Sequence, residues 1–196
     1  MVPPEWGESL PRSFYERPAI VVAPDLLGHV LVHAAPDGLV AGVVVEAEAY
    51  GADDPASHAF RGLTPRNAAM FGRAGRAYIY RSYGVHWCMN VVTGNEGVGE
   101  AVLLRALEPV AGLEAMRRRR PGAADRDLCR GPGRLTAALG ITDALDGCEL
   151  TEGGLWICGA RVRAGEAVAR PRVGVTRGAD RLWRFCLSGS RSLSRR

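Results

Sequence analysis

The stretch Leu39-Val-Ala-Gly-Val-Val-Val-Glu-Ala-Glu-Ala-Tyr50 decides the fold class of this 196-residue chain. It is rich in β-branched residues and alternates near its end, which is typical of a strand with one buried face. The turn signal Pro36-Asp37-Gly38 separates it from a second apolar stretch, Leu26 to His33. The pair therefore predicts an antiparallel β-hairpin.

The spacing of two glutamates in this strand points to chemistry. On a strand, Val44, Glu46, Glu48 and Tyr50 share one face. The alternative interpretation is an exposed strand face, which fits poorly with the hydrophobic run that precedes the glutamates. We therefore expect a functional carboxylate beside an aromatic ring on a buried strand.

A second hairpin is predicted further along the chain. Ala77 to Ser82 and Val85 to Val92 have strand character, and Tyr83-Gly84 joins them tightly. An aromatic ring at such a tip is either a surface accident or a wedge that enters a partner. Residues 51–76 are predicted as a loop with one short helix around Arg66 to Phe71.

The remaining sequence predicts further short elements. Val102 to Ala106 is an apolar strand interrupted by Arg105, which needs an anionic partner or a polar cleft. Val110 to Met116 and Gly131 to Gly140 carry helix signals. Short strands are predicted in the final third at Leu155 to Cys158, Ala160 to Val162, Val173 to Val175 and Leu182 to Leu187.

These elements predict an α+β fold: a single domain over 1–196 with a mainly antiparallel curved sheet, flanking helices and a protruding β-hairpin. Segment 1–13 is expected to be loosely ordered, and 191–196 to form a tail. The composition, 47% hydrophobic and 23% charged, is that of a globular domain. No apolar stretch approaches ~18 residues, so no membrane span is predicted.

Composition also excludes classes of chemistry. All 25 cationic side chains are Arg, and without Lys the chain cannot have a Walker P-loop, a pyridoxal phosphate Schiff base or a lysine nucleophile. Five Cys without a Cys-x-x-Cys pair indicate buried reduced thiols of a cytoplasmic protein. The first residues lack the pattern of a secretory signal.

Metal sites and common nucleophiles have little support in the sequence. The four His lack His-Glu-x-x-His or paired spacing, although a cluster of Asp53, Asp54 and His58 stays open as an alternative. No Gly-x-Ser-x-Gly motif is present, and Cys88 is expected in the core. We therefore expect neither a metal nor a cofactor.

Residues 61–90 contain five Arg, several aromatic residues and no acidic residue. This composition is typical of a nucleic-acid surface, and a solvated basic face over aromatic core residues is the alternative. Candidate contacts with a nucleic-acid backbone are Arg66, Arg73, Arg76 and Arg81. The run Arg117–Arg120 is interpreted as a solvated helix end.

A buried carboxylate, several aromatic rings and a strand Arg suit hydrolysis at a sugar carbon of a nucleic acid. The carboxylate can deprotonate water and stabilise an oxocarbenium-like centre, while aromatic rings hold an extruded base. A DNA-binding module without hydrolysis and a metal-dependent nuclease are the alternatives. A buried carboxylate facing DNA phosphates disfavours the binding module, and insensitivity to a chelator would exclude the nuclease.

From about Phe14 to Ser190 the chain resembles the alkyladenine (3-methyladenine) DNA glycosylases. The ordered set of motifs is specific although each alone is weak. The motifs are Glu46-Ala-Glu-Ala-Tyr50, His58, Thr64-Pro-Arg-Asn67 with Met70-Phe71, Tyr78-Ile-Tyr80, Tyr83-Gly84, Cys88-Met-Asn90, Leu103-Leu-Arg-Ala-Leu-Glu-Pro109, Leu128-Cys129 with Gly131-Pro132, and Arg172-Val-Gly-Val175.

The resemblance implies catalytic roles. Glu48 would be the general base that activates water, held by Arg105 and the main chain of Val173. Tyr83 at the hairpin tip would fill the gap that the extruded base leaves in the duplex. The implied fold is a single α/β domain around an antiparallel sheet, with that hairpin entering the minor groove.

The resemblance also implies a pocket for the base. Tyr50 would stack on one side of the base, with His58 and Tyr80 on the other. The backbone N–H of His58 would contact the base edge, and Asn90 would line the floor and discriminate against normal guanine.

The expected function is that of a monofunctional DNA glycosylase of base excision repair. It would flip 3-methyladenine and 7-methylguanine out of double-stranded DNA, with hypoxanthine and ethenoadenine as further candidates, and leave an abasic site. We expect a monomer in the cytoplasm, associated with the nucleoid, with no membrane partner.

Overall fold

The computed structural model describes residues 7–163 and 165–195. Its strands form one open antiparallel sheet in the order β3-β4-β5-β2-β1-β6, with β8 pairing with β2 and β7. The strands are β1 (His29–Ala35), β2 (Gly38–Tyr50), β3 (Ala77–Ser82), β4 (His86–Thr93), β5 (Glu100–Ala111), β6 (Leu155–Arg161), β7 (Ala167–Arg170) and β8 (Arg184–Leu187). The predicted α+β class with an antiparallel sheet is confirmed.

β2 is the strand on which the site is built. One edge pairs with β5 from Ala41 to Tyr50, and the other is divided between β1 and β8. β8 covers Glu46 to Glu48, so both glutamates lie where three strands meet. The register with β5 shifts on both sides of Glu46, and such β-bulges re-aim nearby side chains.

The first predicted hairpin is confirmed by the pairing of β1 with β2. Its first strand begins at His29 rather than Leu26, because residues 26–28 form the turn that follows a helix. The other hairpin consists of β3 and β4, which pair from Ala77 to Ser82.

The turn of the second hairpin is unusual in its backbone. Tyr83 and Gly84 both have positive φ, 50° and 69°, and the N–H of Val85 donates to the carbonyl of Ser82 at 3.0 Å. Within residues 7–163 and 165–195, Tyr83 is the only non-glycine residue with positive φ. Its side chain is 96% exposed. The hairpin therefore presents a solvated aromatic ring on a strained backbone.

Helices flank the sheet, and α2 and α4 pack against its strands. They are α1 (Arg12–Tyr15), α2 (Ala19–Asp25), α3 (Leu113–Arg119) and α4 (Pro132–Leu139), with short 3₁₀ helices at Pro65–Phe71, Asp125–Asp127 and Asp143–Leu145. The apolar faces of α2, α4 and the sheet enclose the main hydrophobic core. Among the described residues, no helix is both long enough and apolar enough to span a membrane.

Two element predictions were wrong. The helix expected from Val110 begins at Leu113, because Val110 and Ala111 extend β5 beside β2 and Gly112 turns the chain with φ 72°. A side chain at Gly112 would place Cβ 2.3 Å from the carbonyl oxygen of Leu39. Val173 to Val175 is not a strand, because the N–H of Val173 donates to a side-chain carboxylate.

The two ends of the chain were expected to be loosely ordered (1–13) and a tail (191–196). Residues 1–6 and Arg196 lie outside the described residues. Leu10 is buried and its N–H donates to Ile157 at 2.8 Å, while Arg12 forms an ion pair with Glu149 at 2.7 Å. Ser192 is buried as well. All five cysteines are free thiols.

Candidate active site

A cleft of about 700 Å³ lies beside the β3–β4 turn, and a cavity of about 70 Å³ adjoins it. Tyr50, His58 and Tyr80 line both spaces. Arg105 and Val173 line the cleft, and Asn90 lines the small cavity. The structure thus brings together around one opening the side chains for which the resemblance implies catalytic and base-binding roles.

Glu48 lies directly behind the wall of this cleft, and its side chain is fully buried. Its Oε1 accepts from the N–H of Val173 at 2.7 Å. Its Oε2 accepts from the hydroxyl of Tyr50 at 2.9 Å and from Nη1 of Arg105 at 3.3 Å. The three residues that hold the carboxylate, Tyr50, Arg105 and Val173, themselves line the cleft.

Burial raises the pKa of Glu48 above its ordinary value. The charge of Arg105, the N–H of Val173 and the hydroxyl of Tyr50 oppose this effect and lower the pKa. The direction is upward because desolvation is the largest cause. A carboxylate with a raised pKa is a stronger base than an exposed one, and it is still largely ionised where the raised value remains below the working pH.

Glu46, two residues earlier, is equally buried but has different partners. Its Oε1 accepts from Arg105 at 3.3 Å and from Arg184 at 3.1 Å. The N–H of Ser194 donates to Oε2 of Glu46 at 2.5 Å, and the hydroxyl of Ser194 donates to Oε1 at 2.8 Å. Arg105 was predicted to need an anionic partner, and it has two, because its guanidinium contacts both Glu46 and Glu48.

Aromatic rings form the wall shared by the cleft and the cavity. His58 and Tyr80 have ring centroids 4.4 Å apart at 72°, and Tyr78 and Tyr80 are 5.5 Å apart at 31°. Nδ1 of His58 lies 2.9 Å from the hydroxyl of Tyr78. Burial and, second, the charge of Arg66 lower the pKa of His58, so its imidazole is neutral at neutral pH.

Tyr50 is held from behind by a buried ion pair. The guanidinium carbon of Arg172 lies 4.7 Å from the centre of the Tyr50 ring. Arg172 pairs with Asp54 through two contacts, one of them Nη2 to Oδ1 at 2.9 Å, and both side chains are fully buried. The ring is therefore fixed by a cation on one face and by Glu48 at its hydroxyl.

The metal cluster left open by the sequence is not formed. Asp54 is engaged with Arg172, and His58 contacts Tyr78. Among residues 7–163 and 165–195, no group of three His, Cys, Asp or Glu is arranged to hold a metal ion. Asn90 lies in the small cavity, and its Nδ2 donates to the carbonyl of Tyr78 at 3.0 Å.

The four candidate arginines separate into two places. Arg66 and Arg81 line the cleft, and Nη2 of Arg66 donates to the carbonyl of Arg81 at 3.2 Å. Arg76 is paired with Glu149 at 2.8 Å, and Arg73 lines a different surface pocket beside Arg12. The acid-free window 61–90 therefore does not present all its arginines at the cleft, because Arg73 lines another pocket and Arg76 is bonded to Glu149.

The run Arg117–Arg120 is mostly bonded within the protein. Arg119 donates to Asp37 and to the carbonyl of Ala138, and Arg120 donates to the carbonyls of Asp127 and Leu128. Arg117 and Arg118 are the exposed members, with 49% and 61% of their side chains accessible, and Arg117 pairs with Asp125 at 2.7 Å. The interpretation as a solvated helix end was wrong for Arg119 and Arg120, because they tie α3 to neighbouring segments.

Sequence comparisons show which family of proteins the chain is similar to. The chain matches the family model of methylpurine-DNA glycosylase (MPG) over residues 13–191. It is 52% identical over 192 residues to a protein of Methanoculleus marisnigri, covering 96% of this chain and 100% of that protein. A protein of Burkholderia lata is 50% identical over 197 residues, covering 97% and 94%. Both are provisionally named 3-methyladenine DNA glycosylases.

The chain belongs to the methylpurine-DNA glycosylase family. This confirms the resemblance inferred from the ordered motifs, and with it the expected enzyme class, a hydrolytic DNA glycosylase of DNA repair. Membership of this family implies that the protein acts on DNA.

Sequence reasoning did not predict the structural roles of several residues that shape this glycosylase site. They are Tyr78 beside His58, Arg184 and Ser194 beside Glu46, and the pair Asp54–Arg172 behind Tyr50. For Arg184 a signal existed, because it interrupts the predicted apolar strand Leu182 to Leu187 as Arg105 interrupts its own strand. Arg172 belongs to a motif of the resemblance, which implied no role for it, and Ser194 carried no comparable local signal.

Proposed function

We propose that this glycosylase removes alkylated purines, 3-methyladenine and 7-methylguanine in particular, from double-stranded DNA. The purine would be extruded into the cleft, and a water activated by Glu48 would attack the sugar carbon and leave an abasic site. The single observation that carries the proposal is the position of Glu48. Its carboxylate is buried directly behind the wall of an aromatic cleft, and burial raises its pKa. The names of the relatives support the substrate class.

The leaving group explains why one carboxylate suffices. A purine alkylated at N3 or N7 is positively charged, so it departs without a strong acid, and Glu48 needs only to take a proton from water. The negative charge of Glu48 also stabilises the developing oxocarbenium ion. Hypoxanthine and ethenoadenine are neutral and would need protonation, so we expect them to be slower substrates.

The aromatic wall supports selection of a cationic base. Tyr50 would stack on one side of the base, and His58 with Tyr80 would stack on the other. The rings of Tyr50 and Tyr80 attract cations through their faces, and the neutral His58 adds no repelling charge. Asn90 in the adjoining cavity would exclude the exocyclic amino group of normal guanine.

The exposed edge of the cleft would bind the duplex. Tyr83 would fill the space vacated by the extruded base, and Arg66 and Arg81 would contact phosphates. Because its substrate would be chromosomal DNA, the protein would work at the nucleoid, and we expect it to work as a monomer.

The reaction would end at the abasic site. A glycosylase that also cleaves the strand forms a Schiff base between an amine and the sugar, and this chain has no Lys. Borohydride added during turnover should trap no covalent protein–DNA adduct. A trapped adduct would show that an amine other than lysine attacks the sugar.

The proposal is tested by Glu48→Gln on duplex DNA treated with a methylating agent, with released bases quantified by chromatography. Excision should fall by ~10²-fold or more, because a positioned general base contributes that much. Binding to the alkylated duplex should persist. Glu152→Gln, at an exposed glutamate, is the matched control and should behave as wild type. Excision by Glu48→Gln at the wild-type rate would remove Glu48 from this role.

A further inference from the structure

Ser194 contacts both members of the charged pair that supports Glu48. Its N–H donates to Oε2 of Glu46 at 2.5 Å, and its hydroxyl donates to Oε1 at 2.8 Å. The same hydroxyl oxygen lies 3.4 Å from both Nε and Nη2 of Arg105. One serine therefore bonds to a carboxylate and a guanidinium on two different strands.

The segment around Ser194 is fastened on both sides. The carbonyl of Leu193 accepts from Nε of Arg130 at 3.0 Å, and the carbonyl of Arg195 accepts from Nη1 of Arg184 at 3.3 Å. Leu193 also packs against the main hydrophobic core. Residues 192–195 thus lie over the buried charges of β2, β5 and β8 in a defined place.

The bonds continue from Ser194 to Glu48 through a rigid group. The guanidinium of Arg105 is planar, so fixing its Nε edge also fixes the direction of Nη1. Nε contacts Glu46 and Ser194, while Nη1 contacts Oε2 of Glu48 at 3.3 Å. The orientation of Arg105 toward Glu48 therefore depends on what holds its other edge.

We propose that Ser194 is a positioning residue of the excision reaction, acting on Glu48 through Glu46 and Arg105. This inference rests on the proposed role of Glu48 as the base. Without the serine hydroxyl, Glu46 loses a neutral donor and its charge draws the guanidinium toward itself. Arg105 then turns away from Glu48, and the base loses its nearest cation.

The chemical consequence is a change in the protonation of Glu48. The charge of Arg105 opposes the effect of burial, so a weaker contact lets the pKa of Glu48 rise further. Excision needs the ionised carboxylate of Glu48. In a variant without the Ser194 hydroxyl, a larger fraction of Glu48 would be protonated at any pH close to its pKa. DNA affinity should not change, because Ser194 is not a cleft residue.

The test compares Ser194→Ala, Ser194→Thr and Ser194→Cys with wild type, using methylated duplex DNA over a series of pH values. For Ser194→Ala we expect an excision rate about tenfold lower on the acidic limb, where more of Glu48 is protonated, an effect of the size that one hydrogen bond contributes. Its acidic limb should move to higher pH, with KM unchanged. Thr retains the hydroxyl and should restore the profile, while the weakly donating thiol of Cys should fall between. Ser188→Ala, at an exposed serine, is the matched control.

The possible failures are distinguishable. A Ser194→Ala enzyme with an unshifted pH profile, or a loss that Thr does not restore, would overturn the inference while Glu48→Gln stays inactive. An active Glu48→Gln enzyme would instead overturn the proposed function. If Ser194→Ala proves unstable, the order of Thr, Cys and wild type still decides the question.

Discussion

The floor and the rim of the cleft are built on opposite principles. We call floor the buried charge network behind the cleft wall, which consists of Glu46, Glu48, Arg105 and Arg184. Only Arg105 of these four lines the cleft itself. Each charge is bonded to an opposite one, and Glu48 is also bonded to neutral donors. The rim consists of Arg66, Arg81 and Tyr83. Among the described residues, no carboxylate forms an ion pair with Arg66 or Arg81, whereas nearby Arg76 has Glu149.

This difference separates what stabilises the protein from what binds its substrate. Floor charges cannot lose a partner without leaving another charge buried, so the fold and the reaction share the same bonds. Rim side chains contribute little to the fold and remain available to phosphates and bases. Variants of the floor should therefore change stability, activity or both, and variants of the rim should act mainly on binding.

The largest effect is expected for Glu46→Gln. The change removes the carboxylate charge that Arg105 and Arg184 share, and breaking a buried ion network by removing one partner costs about 3–5 kcal/mol. The free energy of unfolding, measured with urea, should fall by that amount. The exposed Glu152→Gln should change it by less than about 0.5 kcal/mol. A Glu46→Gln protein as stable as wild type would mean that the floor charges do not support the fold.

The second prediction concerns the contribution of Glu48 alone to the pH dependence of stability and of excision. Because its pKa is raised in the fold, protonation of Glu48 stabilises the native state. That contribution is fully present below the unfolded pKa of ~4.3 and is lost as pH rises through the folded value. Wild type should therefore gain stability relative to Glu48→Gln as pH falls. Excision should decrease over the same interval, since the base becomes protonated.

The measurement is the difference in Tm between wild type and Glu48→Gln across that pH range, together with the wild-type excision rate. Other titrating groups contribute to both proteins and cancel in the difference. A difference in Tm that is constant with pH, or one that grows in the opposite direction, would contradict the raised pKa.

The sequence was informative where structure depends on near neighbours. The β1–β2 hairpin followed from alternation and a turn signal, and the need of Arg105 for an anion followed from its place in an apolar run. The bulges beside Glu46 could not be predicted from the alternation of residue types, because a bulge appears only in how the strand pairs with its neighbour. They flank Glu46, which contacts the same guanidinium as Glu48, that of Arg105.

Long-range partners could not be predicted from the sequence. Arg184 and Ser194 lie 138 and 148 residues from Glu46, and Arg172 lies 118 residues from Asp54. Only the folded sheet brings these side chains together. Composition grouped residues that the fold separates. The arginine-rich window 61–90 contains Arg66 and Arg81, which line the cleft, and also Arg73 and Arg76, which lie away from it.

That division of the arginines gives the third prediction. Replacing Arg66 and Arg81 together by Ala should lower the affinity for undamaged duplex DNA and reduce the slope of log K against log salt by up to about two, near 0.9 for each lost phosphate contact. Arg73→Ala, at an exposed arginine outside the cleft, is the control and should leave the slope unchanged. If Arg73→Ala flattens the slope instead, the duplex lies on the other surface.

The last prediction concerns Tyr83→Gly, for which we expect a small increase in stability rather than a loss. A tyrosine with φ 50° is strained by roughly 1 kcal/mol, which glycine avoids. Tyr83→Gly should therefore raise Tm by about 2–4 °C, while the ring it removes was worth ~1–3 kcal/mol of stacking against a base. Excision should slow most for well-paired lesions and least for mismatched ones. Tyr83→Phe keeps the ring and should excise as wild type does. A Tyr83→Gly protein with a lower Tm and unchanged excision would place this ring in the fold rather than in the duplex.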